Sequence, residues 1–316
     1  NTAVGMNCML DNTTGGSNTA VGESALSNNT TASNNTAVGY QSLYINTTGS
    51  ENTGVGKGAL YANTTGAYNT AFSQSLASNT TGANNTGVGW GALHGNTTAD
   101  NNTAVGRYTL QTNSTGASNT AIGKGAMYAN TTASNNTAVG FETLGANTTG
   151  SENTAVGRLA LDANTTGTNN TAMGNGALGA NTTASYNTAV GEQAGQAITT
   201  GFQNTLMGSY SGDALTDADY NVALGYVALT SDTKGSRSIA IGYGALFNQN
   251  FTTSTDSNNT AVGHSAGTTV TTGTGNTFIG ANAGDGTDDG AENVAVGASA
   301  LSANCGNENT AVGKGA

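Results

Sequence analysis

The chain has 316 residues, a net charge of −11 at neutral pH and only seven Lys and Arg residues. Nucleic-acid binding needs clustered cations that displace phosphate counterions, so this composition argues against a nucleic-acid partner. The sequence also lacks any apolar run of about 18 residues, so we predict no membrane span in it.

A pentapeptide close to Asn-Thr-Ala-Val-Gly returns along the whole chain. It starts at Asn1, Asn18, Asn35, Asn52, Asn69, Asn85, Asn102, Asn119, Asn136, Asn153, Asn170, Asn187, Asn204, Asn221, Ser238, Asn259, Asn276, Asn293 and Asn309. Of the eighteen intervals, fifteen are 17 residues, two are 16 and one is 21. Such a short and regular period is typical of a solenoid. We therefore predict a single repeat rod over 1–316, regular in 1–191 and more divergent in 192–316, with an insertion near 247–258.

Each coil is numbered here from the first residue of its pentapeptide, which is position 1. Position 4 is usually Val or another large apolar residue, position 5 is nearly always Gly, position 8 is usually Ala or Ser and position 9 is usually Leu. Positions 12 to 15 read Asn-Thr-Thr-Gly or Asn-Thr-Thr-Ala in the regular coils. The pattern predicts an all-β parallel solenoid with two short strands per coil, a corner at position 5 and a turn at positions 12 to 15.

The predicted core is thin, with one large apolar side chain at position 4 and one at position 9. We expect Val139 at position 4 to be buried and Thr149 in the turn to be exposed. The Ala columns at positions 3 and 8 suggest a flat face of small residues that packs against another copy of the chain. The coils at Asn1 and Ala316 carry no atypical cap, which favours continuation into further coils.

The repeat Asn-Thr-Ala-Val-Gly-x-x-Ala-Leu, with Asn276-Thr-Phe-Ile-Gly-Ala-Asn-Ala-Gly284, resembles the head repeats of trimeric autotransporter adhesins of the Yersinia adhesin type and similar repeats in tail-fibre-like surface proteins. The resemblance implies a left-handed parallel β-roll in which three chains lie side by side. This chain departs from that family in its longer repeat, which carries the added Asn-Thr-Thr-Gly turn, and no heptad stalk or anchor barrel is present. The adhesin function is therefore implied less directly than the trimer.

The Asn-Thr-Thr turns contain sequons for N-glycosylation. Their asparagines are Asn12, Asn29, Asn46, Asn63, Asn79, Asn96, Asn113, Asn130, Asn147, Asn164 and Asn181. One hypothesis is a column of glycans along an exposed turn. The other is that Asn is chosen for left-handed turn geometry and for side-chain ladders.

Two further patterns allow a binding function. Thr columns at positions 2, 13 and 14 are typical of ice-binding arrays, although Thr is also simply suited to strands. Asp285, Asp288 and Asp289 carry oxygen ligands at a spacing compatible with Ca²⁺, but no complete calcium motif is present and a solvated turn is the favoured interpretation.

The divergent half offers one candidate contact. Phe247 and Phe251 stand in the 21-residue coil, where they mark either a lateral contact or a tolerated surface insertion. Cys8 and Cys305 stand near opposite ends of the repeat array, so an intrachain disulfide is not expected in a straight rod. Interchain disulfides and free thiols both remain open.

Catalysis has little support in the sequence. His94 and His264 are far apart and have no nucleophile pattern near them, and no phosphate-loop motif is present. We predict a non-enzymatic extracellular or cell-surface fibre protein without cofactors, assembled as a parallel homotrimer. The alternatives are an adhesin head or viral tail-fibre shaft that binds a host ligand, and an ice-binding solenoid.

Overall fold

The computed structural model describes residues 1–316, which form two compact units, Asn1–Asn153 and Thr154–Ala316. Each unit is a parallel β-solenoid without helices. The predicted fold class is therefore confirmed, whereas the single continuous rod and the trimer stay predictions.

The first unit contains nine strands of three residues, one per coil. They are β1 Thr2–Val4, β2 Thr19–Val21, β3 Thr36–Val38, β4 Thr53–Val55, β5 Thr70–Phe72, β6 Thr86–Val88, β7 Thr103–Val105, β8 Thr120–Ile122 and β9 Thr137–Val139. Each strand pairs in parallel with the next, and equivalent positions face each other, as in Thr19↔Thr36 and Ala20↔Ala37. The repeat period thus sets the register directly, because one period is one coil.

The second unit repeats this arrangement and adds one small sheet. Its strands are β10 Thr154–Val156, β11 Thr171–Met173, β12 Thr188–Val190, β13 Thr205–Met207, β14 Val222–Leu224, β15 Gly235–Ser236, β16 Ile239–Ile241, β17 Thr255–Asp256, β18 Thr260–Val262, β19 Thr277–Ile279, β20 Val294–Val296 and β21 Thr310–Val312. Strands β15 and β17 pair only with each other. The insertion near 247–258 therefore returns to the solenoid through β17.

The predicted second strand of each coil is wrong. The Ala-Leu segment forms turns in which the position-9 residue has a left-handed backbone, with φ of 50° at Leu26 and 51° at Leu93. This left-handed residue is Leu, Met or Gly at position 9, or Leu76 one position earlier in the 16-residue coil, and never a β-branched residue, because β-branched side chains fit this conformation poorly. The coil is thus closed by tight corners rather than by a second sheet.

The predicted orientation of the strand is also wrong. The Ala of position 3 is fully buried, for example Ala37 and Ala138, whereas Val139 at position 4 is only half-buried. Successive strand residues point to opposite faces, so only one of positions 3 and 4 can face inward. The interior already holds the fully buried Leu of position 9, and the small Ala fits opposite it.

Glycine at position 5 is required by the corner that follows each strand. Gly22 has φ of +128°, and a Cβ added there would lie 2.7 Å from the carbonyl oxygen of Gly39 in the next coil. Both the backbone conformation and the close approach of the next coil exclude a larger residue. The predicted corner at this position is confirmed.

Candidate functional site

The turn asparagines are interior groups rather than surface groups. Ten of them are fully buried, and Asn12 is half-buried. The Nδ2 of Asn29 donates to Oδ1 of Asn12 at 2.8 Å and to the carbonyl of Ala32 at 3.0 Å. The same pair of bonds recurs at Asn46. The expectation of an exposed turn is therefore wrong for these side chains.

This burial bears on the sequons. A glycan attached to Nδ2 would replace one of the hydrogens that the ladder uses and would need space that the coil interior lacks. Glycosylation stays a prediction, and a glycosylated asparagine could not keep its ladder position in the folded coil.

A second asparagine ladder closes each coil at position 1. Asn35 accepts the backbone N–H of Asn52 on its Oδ1 at 2.9 Å, and its Nδ2 donates to the carbonyl of Gly49 at 3.0 Å. Buried amides are stabilising only when such partners are present. The repeated Asn at positions 1 and 12 is thus explained by hydrogen bonding within and between coils.

The threonine columns divide into two kinds. At position 13 the hydroxyl donates to the carbonyl of the next coil, as Thr47 does to Thr64 at 3.0 Å. At position 14 the threonines are exposed, as at Thr48 and Thr149. Ice binding stays a prediction, now confined to the exposed column at position 14 and the half-buried column at position 2, as at Thr36, because the position-13 hydroxyl protons are already used.

The candidate calcium ligands do not form a metal site. No group of three His, Cys, Asp or Glu residues is placed to hold a metal ion anywhere in the chain. Asp288 instead accepts a hydrogen bond from the Thr271 hydroxyl at 3.0 Å. The solvated-turn interpretation fits this geometry better than a Ca²⁺ site.

The two phenylalanines of the insertion have different environments. Phe247 is 37% exposed, whereas Phe251 is buried and its N–H donates to Oδ1 of Asp232 at 3.0 Å. A lateral contact through Phe251 is therefore wrong for this fold, and only Phe247 stays a candidate.

Asp232 is a carboxylate in the interior of the second unit. It stands at position 12, where the regular coils have Asn, and accepts hydrogen bonds from the backbone of Gly235 and Phe251 and from the Gln249 amide. Burial raises the pKa of Asp232, and these hydrogen bonds partly oppose that rise. Asp232 thus occupies the position of a ladder Asn but is separated from the ladder by the coils of Ile198 and Leu215.

The remaining sequence candidates lie apart. Cys8 and Cys305 are both free. His264 stacks on Tyr243 with ring centroids 5.0 Å apart, while His94 lines a surface cleft. Neither histidine has a nucleophilic side chain as a hydrogen-bond partner.

An apolar stripe follows the outward residue of each strand. It consists of the position-4 side chains, of which Phe72 is 41% exposed, Ile122 41% and Met173 43%. The valines between them are half-buried. Since every coil contributes one such side chain, each unit presents a continuous apolar line on its sheet.

The side chains at position 6, directly after the position-5 corner, form a basic and aromatic ridge along the first unit. Five of the seven Lys and Arg residues of the chain stand at position 6. From the third coil onward the exposed members of the ridge are Tyr40, Lys57, Trp90, Arg107, Lys124 and Phe141, and in the second coil the same position is the exposed Glu23. Cations lie over neighbouring rings, as Arg107 does over Trp90 at 5.6 Å and Lys124 over Phe141 at 5.2 Å. Sequence reasoning missed this ridge, although the confinement of the cations to one position was a visible signal.

The ridge is interrupted by a cleft at the 16-residue coil 69–84. The cleft has a volume of about 310 Å³. Its lining residues are Gln41, Lys57, Gly58, Tyr61, Gln74, Ala77, Ser78 and His94. It is the feature of the first unit that departs most from the repeat.

Comparison with known proteins adds no family assignment. Neither a protein-family model nor a curated protein sequence matches this chain. In the structure, no helix of the length and apolar character needed to cross a membrane is present.

Proposed function

We propose that this chain is an architectural, non-enzymatic protein of the cell or virion exterior, whose solenoid lies side by side with two further copies as a parallel homotrimer. The observation that carries the proposal is the apolar stripe at position 4. Leaving Phe72, Ile122 and Met173 about two-fifths exposed is unfavourable in water, and covering them with a partner recovers about 25 cal/mol per Å² of apolar surface,.

The repeat identifies the partner as another copy of the chain. The stripe carries one side chain per coil, and stacked strands recur about every 4.8 Å. Only a surface with the same spacing can match it over many coils, and a parallel copy in register has that spacing. Burial of Ala at position 3 leaves this stripe, rather than the small-residue columns, as the contact surface.

The number of copies and the location come from the sequence resemblance. Adhesin-type head repeats imply three parallel chains on an outer surface, and the low fraction of charged residues, 8%, is compatible with a repetitive fibre. The role we assign is mechanical extension, with each coil adding length.

The assembly is tested by measuring molecular mass in solution. We expect sedimentation equilibrium to give three times the 31.0 kDa chain mass. The variant Ile122→Asp/Val139→Asp, which places two carboxylates on the stripe, should sediment as a monomer that keeps its β circular dichroism.

The matched control is Thr132→Asp/Thr149→Asp, which adds the same charge to exposed turns of the same two coils. It should remain trimeric. A wild-type monomer, or equal dissociation of both variants, would refute the assembly through position 4.

The alternative is an adhesin head or tail-fibre shaft, and the exposed ridge of the first unit favours it. Electron microscopy of native material separates the two roles. Long uniform filaments support the architectural role, whereas short spikes fixed at one end to a cell or virion support the adhesive one.

A further inference from the structure

We propose that the cleft at the 16-residue coil binds a short acidic saccharide, with a sugar ring against Tyr61 and its carboxylate at Lys57. This inference goes beyond the architectural role and does not depend on the number of chains in the assembly.

The cleft exists because one residue is missing from a corner. Phe72 is followed directly by Ser73, Gln74 and Ser75, whereas other coils have Gly and two further residues before the small residue of position 8. The ridge therefore has a gap between Lys57 and Trp90. Because only this coil of the first unit lacks the residue, its surface differs from that of the repeated coils at one site.

The neighbouring coil keeps the gap open. Gly58 stands at position 7 with φ of +66°, and a Cβ added there would lie 4.0 Å from Cγ of Gln74. Position 7 accepts larger residues with the same backbone, since Gln41 has φ of 56° and Tyr108 has φ of 59°. Glycine at 58 is thus not required by the backbone, and its effect is to leave room above Gln74.

The walls combine a rigid ring with amide groups. Tyr61 stacks on Tyr44 with centroids 5.4 Å apart and an interplanar angle of 17°, which fixes its orientation. The indole N–H of Trp90 donates to Oε1 of Gln74 at 3.2 Å, and this bond orients the Gln74 amide so that its Nε2 is available as a donor. Flat rings with a few fixed polar groups suit the apolar C–H face and the hydroxyls of a sugar.

Charge selects an anionic ligand. Between residues 24 and 141 the only carboxylates are Glu51 and Asp100, at positions 17 and 16 of their coils, and neither lines the cleft. Lys57 lines it and is exposed. The coils that line the cleft, 35–101, contain one cation and two carboxylates, and of these three groups only Lys57 stands in the cleft wall.

Size and charge density favour a saccharide over a nucleic acid. A volume of about 310 Å³ lies at the lower end of ligand sites, which suits a few atoms of contact on one or two rings,. One lysine matches the single carboxylate of a uronate or sialate residue. A polyphosphate backbone would need several cations along its path.

The test uses the purified full chain and isothermal titration calorimetry. Trigalacturonate is the acidic probe, maltotriose the neutral one and a dT octamer the nucleic-acid one. We expect binding of trigalacturonate only. Lys57→Gln should weaken it about tenfold, as loss of one charge-assisted contact does, and Gly58→Gln should abolish it by filling the gap.

The controls lie at equivalent positions outside the cleft. Lys124→Gln removes a cation from the same column, and Gly176→Gln adds the same side chain at φ of +65° with Cγ of Gln193 3.7 Å away. Both should bind like the wild type. No wild-type binding of trigalacturonate, equal binding of maltotriose, preference for the oligonucleotide, or equal losses in variants and controls would each overturn the proposal.

Discussion

The coils of the first unit and four coils of the second unit fill the same interior in two different ways. From Asn18 to Asn136 the coils have Leu or Met at position 9 and Asn at position 12, except that Leu76 and Asn79 stand one position earlier in the 16-residue coil. The coils that start at Asn187, Asn204, Asn259 and Asn276 have Gly at position 9. Their position-12 residues are Ile198, Leu215, Val270 and Thr287. The large side chain has moved to another corner of the coil.

The glycines of these four coils make room for their neighbours. A Cβ added to Gly195 would lie 2.7 Å from Cδ1 of Leu206 and 3.2 Å from Cδ1 of Ile198. Gly284 stands in the same way against the ring of Phe278. Leu206 and Phe278 occupy position 3, which is Ala in almost every other coil.

The interior of each coil therefore has a fixed volume. Leu at position 9 requires Ala or Gly at position 3, whereas Gly at position 9 admits a larger residue at position 3, 12 or both. Where an apolar residue takes position 12, the Asn ladder ends. Oδ1 of Asn181, which lies next to the coil of Ile198, is buried and has no hydrogen-bond partner. Close packing explains why these substitutions come together.

We expect the largest loss of stability when glycine replaces the position-9 residue of a first-unit coil and no other residue is changed. Leu110→Gly removes a fully buried side chain and should lower the free energy of unfolding by about 4 kcal/mol,. Adding Asn113→Ile should recover part of this loss because Ile fills the space from position 12. Urea denaturation of both single variants and the double variant forms a double-mutant cycle. Strict additivity would contradict the volume exchange.

The reverse substitution, glycine to leucine at position 9 of a second-unit coil, should cause a smaller loss of stability. Gly195→Leu keeps a compatible backbone, since Leu178 has φ of 51° at the same position of the preceding coil. The new side chain would overlap Leu206, and overpacking of this kind costs about 2–3 kcal/mol. Adding Leu206→Ala should restore most of the stability. If it does not, the loss comes from backbone strain rather than from packing.

The repeat period made the fold predictable. The size of the side chains, however, led to a wrong assignment of which strand residues face the interior. Seventeen-residue spacing gave the parallel coils and their register, because stacking places equivalent residues together. Val139 was expected inside since it is larger than Ala138, but alternation and the Leu of position 9 turn it outward. The pairing of Leu206 with Gly195 was a signal in the sequence that position 3 faces the interior.

The candidate site was less predictable. The 16-residue interval before Asn85 and the placement of Lys57 and Arg107 at position 6 are visible in the sequence. A gap in a surface column, however, becomes a cleft only when Gly58 and Gln74 are placed beside it. Burial of Asn29 was also hidden, because an exposed turn and an interior ladder use the same Asn-Thr-Thr residues.

A smaller effect compares the middle of the position-12 ladder with its end. Asn96 donates to Asn79 and accepts from Asn113, whereas Asn181 donates to Asn164 but its Oδ1 accepts nothing. Asn96→Ala should therefore be more destabilising than Asn181→Ala by about 1 kcal/mol, the typical net contribution of one hydrogen bond. Thermal and urea unfolding of the two variants measure this difference. Equal losses would show that the ladder bond between coils contributes little.

The smallest effect concerns Asp232, where an acid replaces the ladder asparagine. Burial raises its pKa above the ordinary value of 3.8, so the folded state binds the proton more tightly than the unfolded state. Stability should therefore rise as the pH falls from 7 through the raised pKa, and the gain should be complete near 3.8,. The pKa values of Asp213 and Asp219 are also raised by burial and add to the same trend.

The variant Asp232→Asn isolates the pH-dependent contribution, because Oδ1 can still accept from the backbone of Gly235 and Phe251, and the lost hydrogen bond from the Gln249 amide is lost at every pH. Its unfolding midpoint should vary less between pH 7 and 4 than that of the wild type. Asp11→Asn removes an exposed carboxyl of the first unit and controls for net charge. An unchanged pH profile in Asp232→Asn would mean that Asp232 titrates alike in both states, and that hydrogen bonds offset its burial completely.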